Sequence, residues 1–170
     1  DRWEGERRPG HFEGVATVVM KLFNIVRPDL AFFGEKDYQQ VAVVKNLVTD
    51  LDMGVRIVTV PTVRDADGLA KSSRNVYLSA DDRTVALAIP RALDAARAAI
   101  DSGERDMLAL VSRSIESLKS AGVGVDYVAI VDPTSLEPVD TLGSGETARM
   151  LIAGDVGKVR LIDNAALVGR

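Results

Sequence analysis

Within GEKDYQQ, Gly34 to Gln40, a glycine, a lysine, an aspartate and a glutamine stand almost side by side. Such a set suits a phosphorylated ligand. Gly34 lets backbone come close to a bound group. A helix opening just behind it offers unpaired N–H groups and the positive end of a dipole to an anion, and Lys36 adds a cation. Asp37 can accept hydrogen bonds from ribose hydroxyls, and the Gln40 amide can both donate to and accept from a neutral polar substrate. A plainer arrangement fits equally well, with Asp37 favouring the first helical turn and Lys36 solvated; spacing alone leaves both open.

Two further segments carry similar chemistry. GLAKSSRN concentrates Lys71, Ser72, Ser73 and Arg74 in a glycine-containing loop, where hydroxyls and a planar guanidinium could meet polyphosphate oxygens. The competing reading is an exposed polar linker. RRPGHF supplies Arg8, suited to a carboxylate, and His11, able to exchange a proton near neutral pH. A lone histidine is more often structural. Arg91 and Arg97 fall on expected helices and fit ordinary solvated faces.

The elements that must position these groups follow from periodicity. Val15, Val18, Val19, Leu22, Phe23 and Val26 recur at helical spacing before Pro28, whereas DRWEGERRPGHF has the pattern of neither strand nor helix. Leu30 to Phe33 reads as a short buried strand. Val41, Val44, Leu47, Val48 and Leu51 mark a second helix punctuated by Gly54, and Val55 to Val60 a β-branched strand closed by Pro61. Strand, helix and strand in that order predict a βαβ unit with parallel strands. Ligands in such sheets bind beyond the carboxyl ends of the strands, where GEKD and PTVRD both begin. The polar connection Arg64 to Asn75 then leads to a different style of chain, which places a domain boundary near Val63. Ser79 and Asp82 resemble a capping box opening a helix toward Ile100, bent at Pro90. Leu108, Val111, Ile115 and Leu118 form another stripe closed by Gly122. Val125 to Val131, Ala148 to Ala153 and Lys158 to Asp163 read as strands, the last two joined by GDVG as a hairpin. The expected fold class is α/β: residues 1–62 a βαβ-bearing unit, residues 63–170 a small α+β domain.

Composition narrows the function. The 170 residues carry 21 Lys and Arg against 25 Asp and Glu, a formal charge of −4, so no general attraction to nucleic acid is expected. With no Cys and one His, the chain has neither a disulfide framework nor a multi-histidine metal centre. No apolar run reaches the ~18 residues of a membrane span. The pattern predicts a soluble cytoplasmic protein.

RPGHF, then FFGEKDYQQ, then PTVRDADGLAKSSRN, in this order, with a weaker match running to the terminal RLIDN, resembles the pantothenate synthetase (pantoate–β-alanine ligase) family. The resemblance implies an ATP-dependent ligase that forms pantoyl adenylate with Mg²⁺, releases pyrophosphate, and lets β-alanine displace AMP to give pantothenate. It further implies a homodimer, with residues 1–62 as the end of a Rossmann-like nucleotide-binding domain and residues 63–170 as the smaller C-terminal domain carrying a phosphate-binding loop. By the same resemblance Gly34 and Asp37 meet adenosine, Lys36 the reacting phosphate and Gln40 pantoate. The Val63 backbone meets adenine; Ser72, Ser73 and Arg74 bind phosphates; Arg8 and His11 line the pocket near the acid substrates; Lys71, ahead of SSRN at a position that varies in the family, could add a phosphate contact. Lys36 and Arg74 would be the catalytic cations, stabilising charge on the leaving pyrophosphate.

The family's H-x-G-H signature does not occur here, because His11 is the only histidine. The chain therefore resembles the second half of the enzyme, with Mg²⁺ ligands expected outside these residues. On that view the 170-residue chain alone lacks ligase activity and self-associates through residues 12–62, while 63–170 is the better-ordered unit. A non-catalytic nucleotide-binding or oligomerisation fragment, and a related nucleotidyltransferase using another acceptor, are the alternatives.

Overall fold

The computed structural model describes residues 2–170 and divides into two compact units between Thr62 and Val63. Among the described residues no helix is long and apolar enough to cross a membrane.

The first unit opens with a short helix, α1 (Glu4–Arg7), in a segment where periodicity gave no element. Helix α2 spans His11–Val26, beginning four residues before the apolar stripe that signals it. The polar first turn is set by Gly10, whose φ of 75° starts the helix without a side-chain cap. At the other end Arg27 takes a left-handed conformation and its N–H bonds the Phe23 carbonyl, closing the helix just ahead of Pro28. Strand β1 (Leu30–Gly34) leads through a 3₁₀ turn at Glu35–Asp37 into α3 (Tyr38–Asp50), and β2 (Arg56–Val60) follows. Gly54 is not the stop of α3. Asp52 is, with φ of 48°, as its N–H bonds the Thr49 carbonyl and the Met53 N–H bonds the Val48 carbonyl.

Strands β1 and β2 pair in parallel, with Leu30 opposite Arg56 and Gly34 opposite Val60. The expected buried strand is only half buried. Val41 and Val44 of α3 are inside, and Phe23 meets Phe33 edge-on at 6.5 Å, but Phe32 on the alternate face of β1 is 64% exposed. Period-2 alternation turns Phe32 away from the side on which Phe33 packs.

The second unit is a three-stranded antiparallel sheet, its strands side by side in sequence order, covered by helices. After a 3₁₀ turn at Ser73–Tyr77, the Ser79–Asp82 capping box opens α4 (Ala80–Ala86), with both reciprocal bonds present. The single bent helix expected here is instead two, because α5 (Ala88–Asp101) starts anew after Leu87. Pro90 cannot donate to the Ala86 carbonyl and its ring crowds that oxygen, so the break falls one turn ahead of the proline. Helix α6 (Met107–Ser120) buries Met107, Leu110, Ser114 and Leu118, with Val111 and Ile115 partly covered, whereas Leu108 is 63% exposed. The true stripe is one position out of phase at its start.

Strands β3 (Gly124–Val131), β4 (Thr147–Val156) and β5 (Val159–Val168) are longer than their most apolar stretches. Gly154 and Asp155 pair within the ladder, so the hairpin loop is not GDVG but Gly157–Lys158, between the paired Val156 and Val159. Gly157 supplies the positive φ, 57°, that a two-residue loop requires at its first position. Ile89, Leu93, Ile100, Met107, Leu118, Leu142, Met150, Ile152 and Leu167 are the largest side chains sealed inside this unit.

Candidate functional site

In the first unit the candidate residues gather around the carboxyl end of β1 and the start of α2. Gly34 has an ordinary extended backbone, φ −72°, and a Cβ added there would meet nothing within 4 Å. Neither conformation nor local packing calls for glycine, which leaves room for a ligand lying against the backbone. Lys36 lies in the 3₁₀ turn with its side chain mostly covered, and its Nζ is 3.8 Å from Asp37 Oδ1. Tyr38 begins α3 proper, and the residue ahead of it, Asp37, makes no side-chain cap.

The two neighbouring glutamines have different fates. Gln39 is buried: its Oε1 accepts the Glu4 N–H at 2.9 Å and its Nε2 donates to the Arg2 carbonyl at 3.2 Å. It thus caps α1 from α3 and is spent on structure. Gln40 lines a groove of about 510 Å³ with His11, Gly10, Gly14, Val15, Val18 and Val19. Arg8 Nη1 is 3.1 Å from His11 Nε2 and 3.6 Å from Glu4 Oε1. Because a guanidinium can only donate, His11 Nε2 is the acceptor in that contact. Gln40 and His11 therefore share a wall, with Arg8 bonded to that wall's histidine; Lys36 and Asp37 do not line it.

The second unit holds the other set. The segment Val63 to Asn75 is not the exposed linker that its polarity suggests. Leu69 and Ala70 are buried, Arg64 and Ala70 form an antiparallel bridge, and the Lys71 N–H bonds the Val63 carbonyl at 2.9 Å. The sequence RDADGLA thus makes a small hairpin whose apolar tail enters the core and whose exit delivers Ser72. Ser72 Oγ accepts the Arg74 N–H at 3.2 Å and starts the 3₁₀ turn. Ser72 and Ser73 line a cavity of about 570 Å³ with Asp65, Lys71, Asn75, Val76 and Arg83. Val63 and Arg74 are not in that lining; both are exposed, Val63 at 59%.

Its charges are already partitioned. Arg83 donates from Nε to Asp67 Oδ2 at 2.8 Å and from Nη2 to Asp65 Oδ2 at 2.9 Å. Those bonds, to Asp67 first and Asp65 second, raise the guanidinium pKa above its ordinary value, and the same contact holds the Asp67 carboxyl below the usual carboxylate range. Lys71 Nζ lies 3.8 Å from Asp65 Oδ1. The exposed Arg74 side chain, by contrast, is engaged with no carboxylate among the described residues. Of the cations in this loop it is the one left to meet an incoming anion.

Sequence reasoning missed Gln39, Arg83, Asp65, Asp67 and the pair Arg64–Asp163. Arg64 Nη1 and Nη2 bond Asp163 Oδ2 and Oδ1 at 2.6 and 3.1 Å. Asp163 is 4% exposed, in the alternation of β5 that buries Leu161 and Ala165. A carboxylate at a core position of a strand was the available signal, since it demands a partner. Among the described residues no group of three or more acidic or histidine side chains could hold a metal ion. Asp65 and Asp67 are both engaged by Arg83.

A family model described as pantoate-beta-alanine ligase matches residues 1–166. The pantothenate synthetase of Rhizorhabdus wittichii is 55% identical over 168 residues, 98% of this chain and 58% of that protein. That of Myxococcus xanthus is 51% identical over 165 residues, 97% of this chain and 56% of that protein. Among solved structures, a pantothenate synthetase from Thermus thermophilus superposes with a TM-score of 0.89 at 48% identity, covering 96% of this chain and 58% of that one. A pantoate-beta-alanine ligase from Francisella tularensis, complexed with beta-gamma ATP and beta-alanine, gives 0.69 at 34% identity over 96% of this chain and 53% of that one. The chain thus spans somewhat more than half the length of the relatives it matches.

Proposed function

The chain belongs to the pantoate-beta-alanine ligase family, and we propose that the whole protein condenses pantoate with β-alanine at the expense of ATP. A pantoate carboxylate oxygen attacks the α-phosphorus, the bond to pyrophosphate breaks, and the β-alanine amine then attacks the acyl carbon. AMP leaves, the amine loses a proton, and the amide of pantothenate remains. No covalent bond to the protein is needed, so catalysis rests on positioning and on charge placed where the phosphates develop it.

In this reading residues 1–62 are the closing part of a Rossmann-like nucleotide domain and residues 63–170 a C-terminal domain bearing the phosphate loop. Gly34 and Asp37 receive adenosine, the Val63 backbone adenine, and Lys36 and Arg74 the reacting phosphates together with Ser72 and Ser73. Gln40 holds pantoate, with Arg8 and His11 near the acid substrates. Lys71 adds a phosphate contact once it leaves Asp65. The working form is a cytoplasmic homodimer. Mg²⁺, when bound, would neutralise phosphate charge and draws its ligands from outside these residues.

The observation that carries the proposal is the register of the parallel pair. Gly34 stands opposite Val60, so GEKD and PTVRD leave the sheet from one edge, the edge where parallel α/β sheets bind ligands. The test is pantoate-dependent exchange of labelled pyrophosphate into ATP by the whole protein, followed by pantothenate formation on adding β-alanine. Exchange with another carboxylic acid but not pantoate would move the assignment to a related nucleotidyltransferase. Nucleotide binding without exchange would make the chain a binding module.

A further inference from the structure

The phosphate loop is fastened to the far end of the chain. Arg64 sends two bonds to Asp163 of β5, at 2.6 and 3.1 Å, and the same Nη1 donates to the Gly68 carbonyl at the tip of the loop hairpin, at 3.1 Å. Asp163 Oδ1 also accepts the Asn164 N–H at 2.8 Å, which fixes the carboxylate on its strand. From Gly68 the hairpin returns through the Arg64–Ala70 bridge and the Lys71-to-Val63 bond. Asn75 Nδ2 then ties the outgoing turn back to the Ala70 carbonyl at 3.0 Å. One guanidinium therefore sets the hairpin's tip and base against the sheet, and Ser72 follows two residues after the buried Leu69 and Ala70.

We propose that Arg64 and Asp163 are positioning residues for adenylate formation: their forked pair sets where Ser72, Ser73 and Arg74 stand relative to the nucleotide phosphates. Asp163 is buried and Arg64 partly so, and such a pair is a poor device for stability alone, because desolvation offsets much of its attraction. A planar fork on a carboxylate does give something an apolar contact lacks, a fixed angle and register. Here that register is passed to a loop whose other anchors are the buried Leu69 and Ala70 and the Arg83 bonds to Asp65 and Asp67, none of which hydrogen-bonds to β5. The inference rests on the phosphate-loop reading above.

Arg64→Lys and Asp163→Asn in the whole protein test it. Each half-reaction is measured per folded molecule: pyrophosphate exchange for adenylation, and transfer of preformed pantoyl adenylate to β-alanine. Misplacing a contact by about 1 Å can cost on the order of 10²-fold, so exchange should fall roughly tenfold to a hundredfold while transfer stays within about twofold. Equal losses in both half-reactions, or unchanged exchange, would overturn the proposal. Amide hydrogen exchange on the 170-residue chain gives a readout independent of activity. The variants should speed exchange at the bonded amides of Lys71, Arg74 and Asn75 while β4 amides keep their protection; uniform acceleration or none at all refutes the clamp. If Asp163→Asn does not fold, Arg64→Lys, which keeps the charge and loses the fork, carries the test. A wild-type protein without exchange activity sinks the parent reading, and the amide measurement still decides the clamp.

Discussion

Replacing Gln39 and Gln40 one at a time by alanine should separate structure from binding at adjacent positions. Gln39 holds the Glu4 N–H at 2.9 Å and the Arg2 carbonyl at 3.2 Å. The Glu4 N–H belongs to the first turn of α1, and Glu4 is itself buried. Removing its acceptor leaves a buried donor unsatisfied, which costs about 1–3 kcal/mol. The Arg2 carbonyl also accepts the Gly5 N–H at 2.9 Å and sits on an exposed residue, so its loss adds little. We expect Gln39→Ala to lower stability by about 2 kcal/mol and to leave the pantoate KM of the folded fraction unchanged. Gln40 faces the groove beside His11, and its side chain makes no hydrogen bond to the described residues. Gln40→Ala should change stability by less than about 0.5 kcal/mol and raise the pantoate KM in pyrophosphate exchange. Urea unfolding midpoints, exchange protection of the Glu4 amide and the two KM values form the assay. A raised KM in Gln39→Ala with normal stability, or a destabilised Gln40→Ala with normal KM, would refute the division of labour.

Lys36→Ala in the whole protein should slow single-turnover formation of pantoyl adenylate by about 3 kcal/mol of lost transition-state stabilisation; an unchanged rate removes Lys36 from the reaction. Arg74→Ala should weaken ATP engagement and adenylation with little change in melting temperature, because its side chain is exposed and holds no carboxylate; a lost cooperative transition with normal turnover per folded molecule argues the opposite. Glu104, held at about 2 chiefly by its bond to Arg113 and then by the Asp106 and Arg105 N–H groups, should favour the folded state above its ordinary pKa of 4.5. That contribution fades as pH falls from 4.5 toward about 2, so thermal melts of Glu104→Gln should show a shallower acid slope than wild type. The isolated 170-residue chain should lack ligase activity and associate through the apolar faces of residues 12–62, where Val18, Leu22, Ile25 and Phe32 are all exposed. Light scattering that finds a monodisperse monomer contradicts the association, and measurable pantothenate contradicts the inactivity.

Local patterning settled much of this molecule before any tertiary contact was known. The βαβ order, the parallel β1–β2 pair, the Ser79–Asp82 box and the three C-terminal strands were all readable, because each rests on period, propensity or a bond between near neighbours in sequence. The candidate segments GEKDYQQ and GLAKSSRN were readable for the same reason, as their residue types are unusual at that density. Tertiary structure decided what depends on distant partners. It chose between two adjacent glutamines by committing Gln39 to Glu4 and Arg2, thirty-five and thirty-seven residues away. It turned a polar connection into an anchored hairpin by joining Arg64 to Asp163 across ninety-nine positions. It also left Arg74 as the loop's available cation by spending Arg83 on Asp65 and Asp67. A sequence displays charges; only the fold decides which of them neutralise one another, because pairing energy depends on separation and burial and neither is written along the chain.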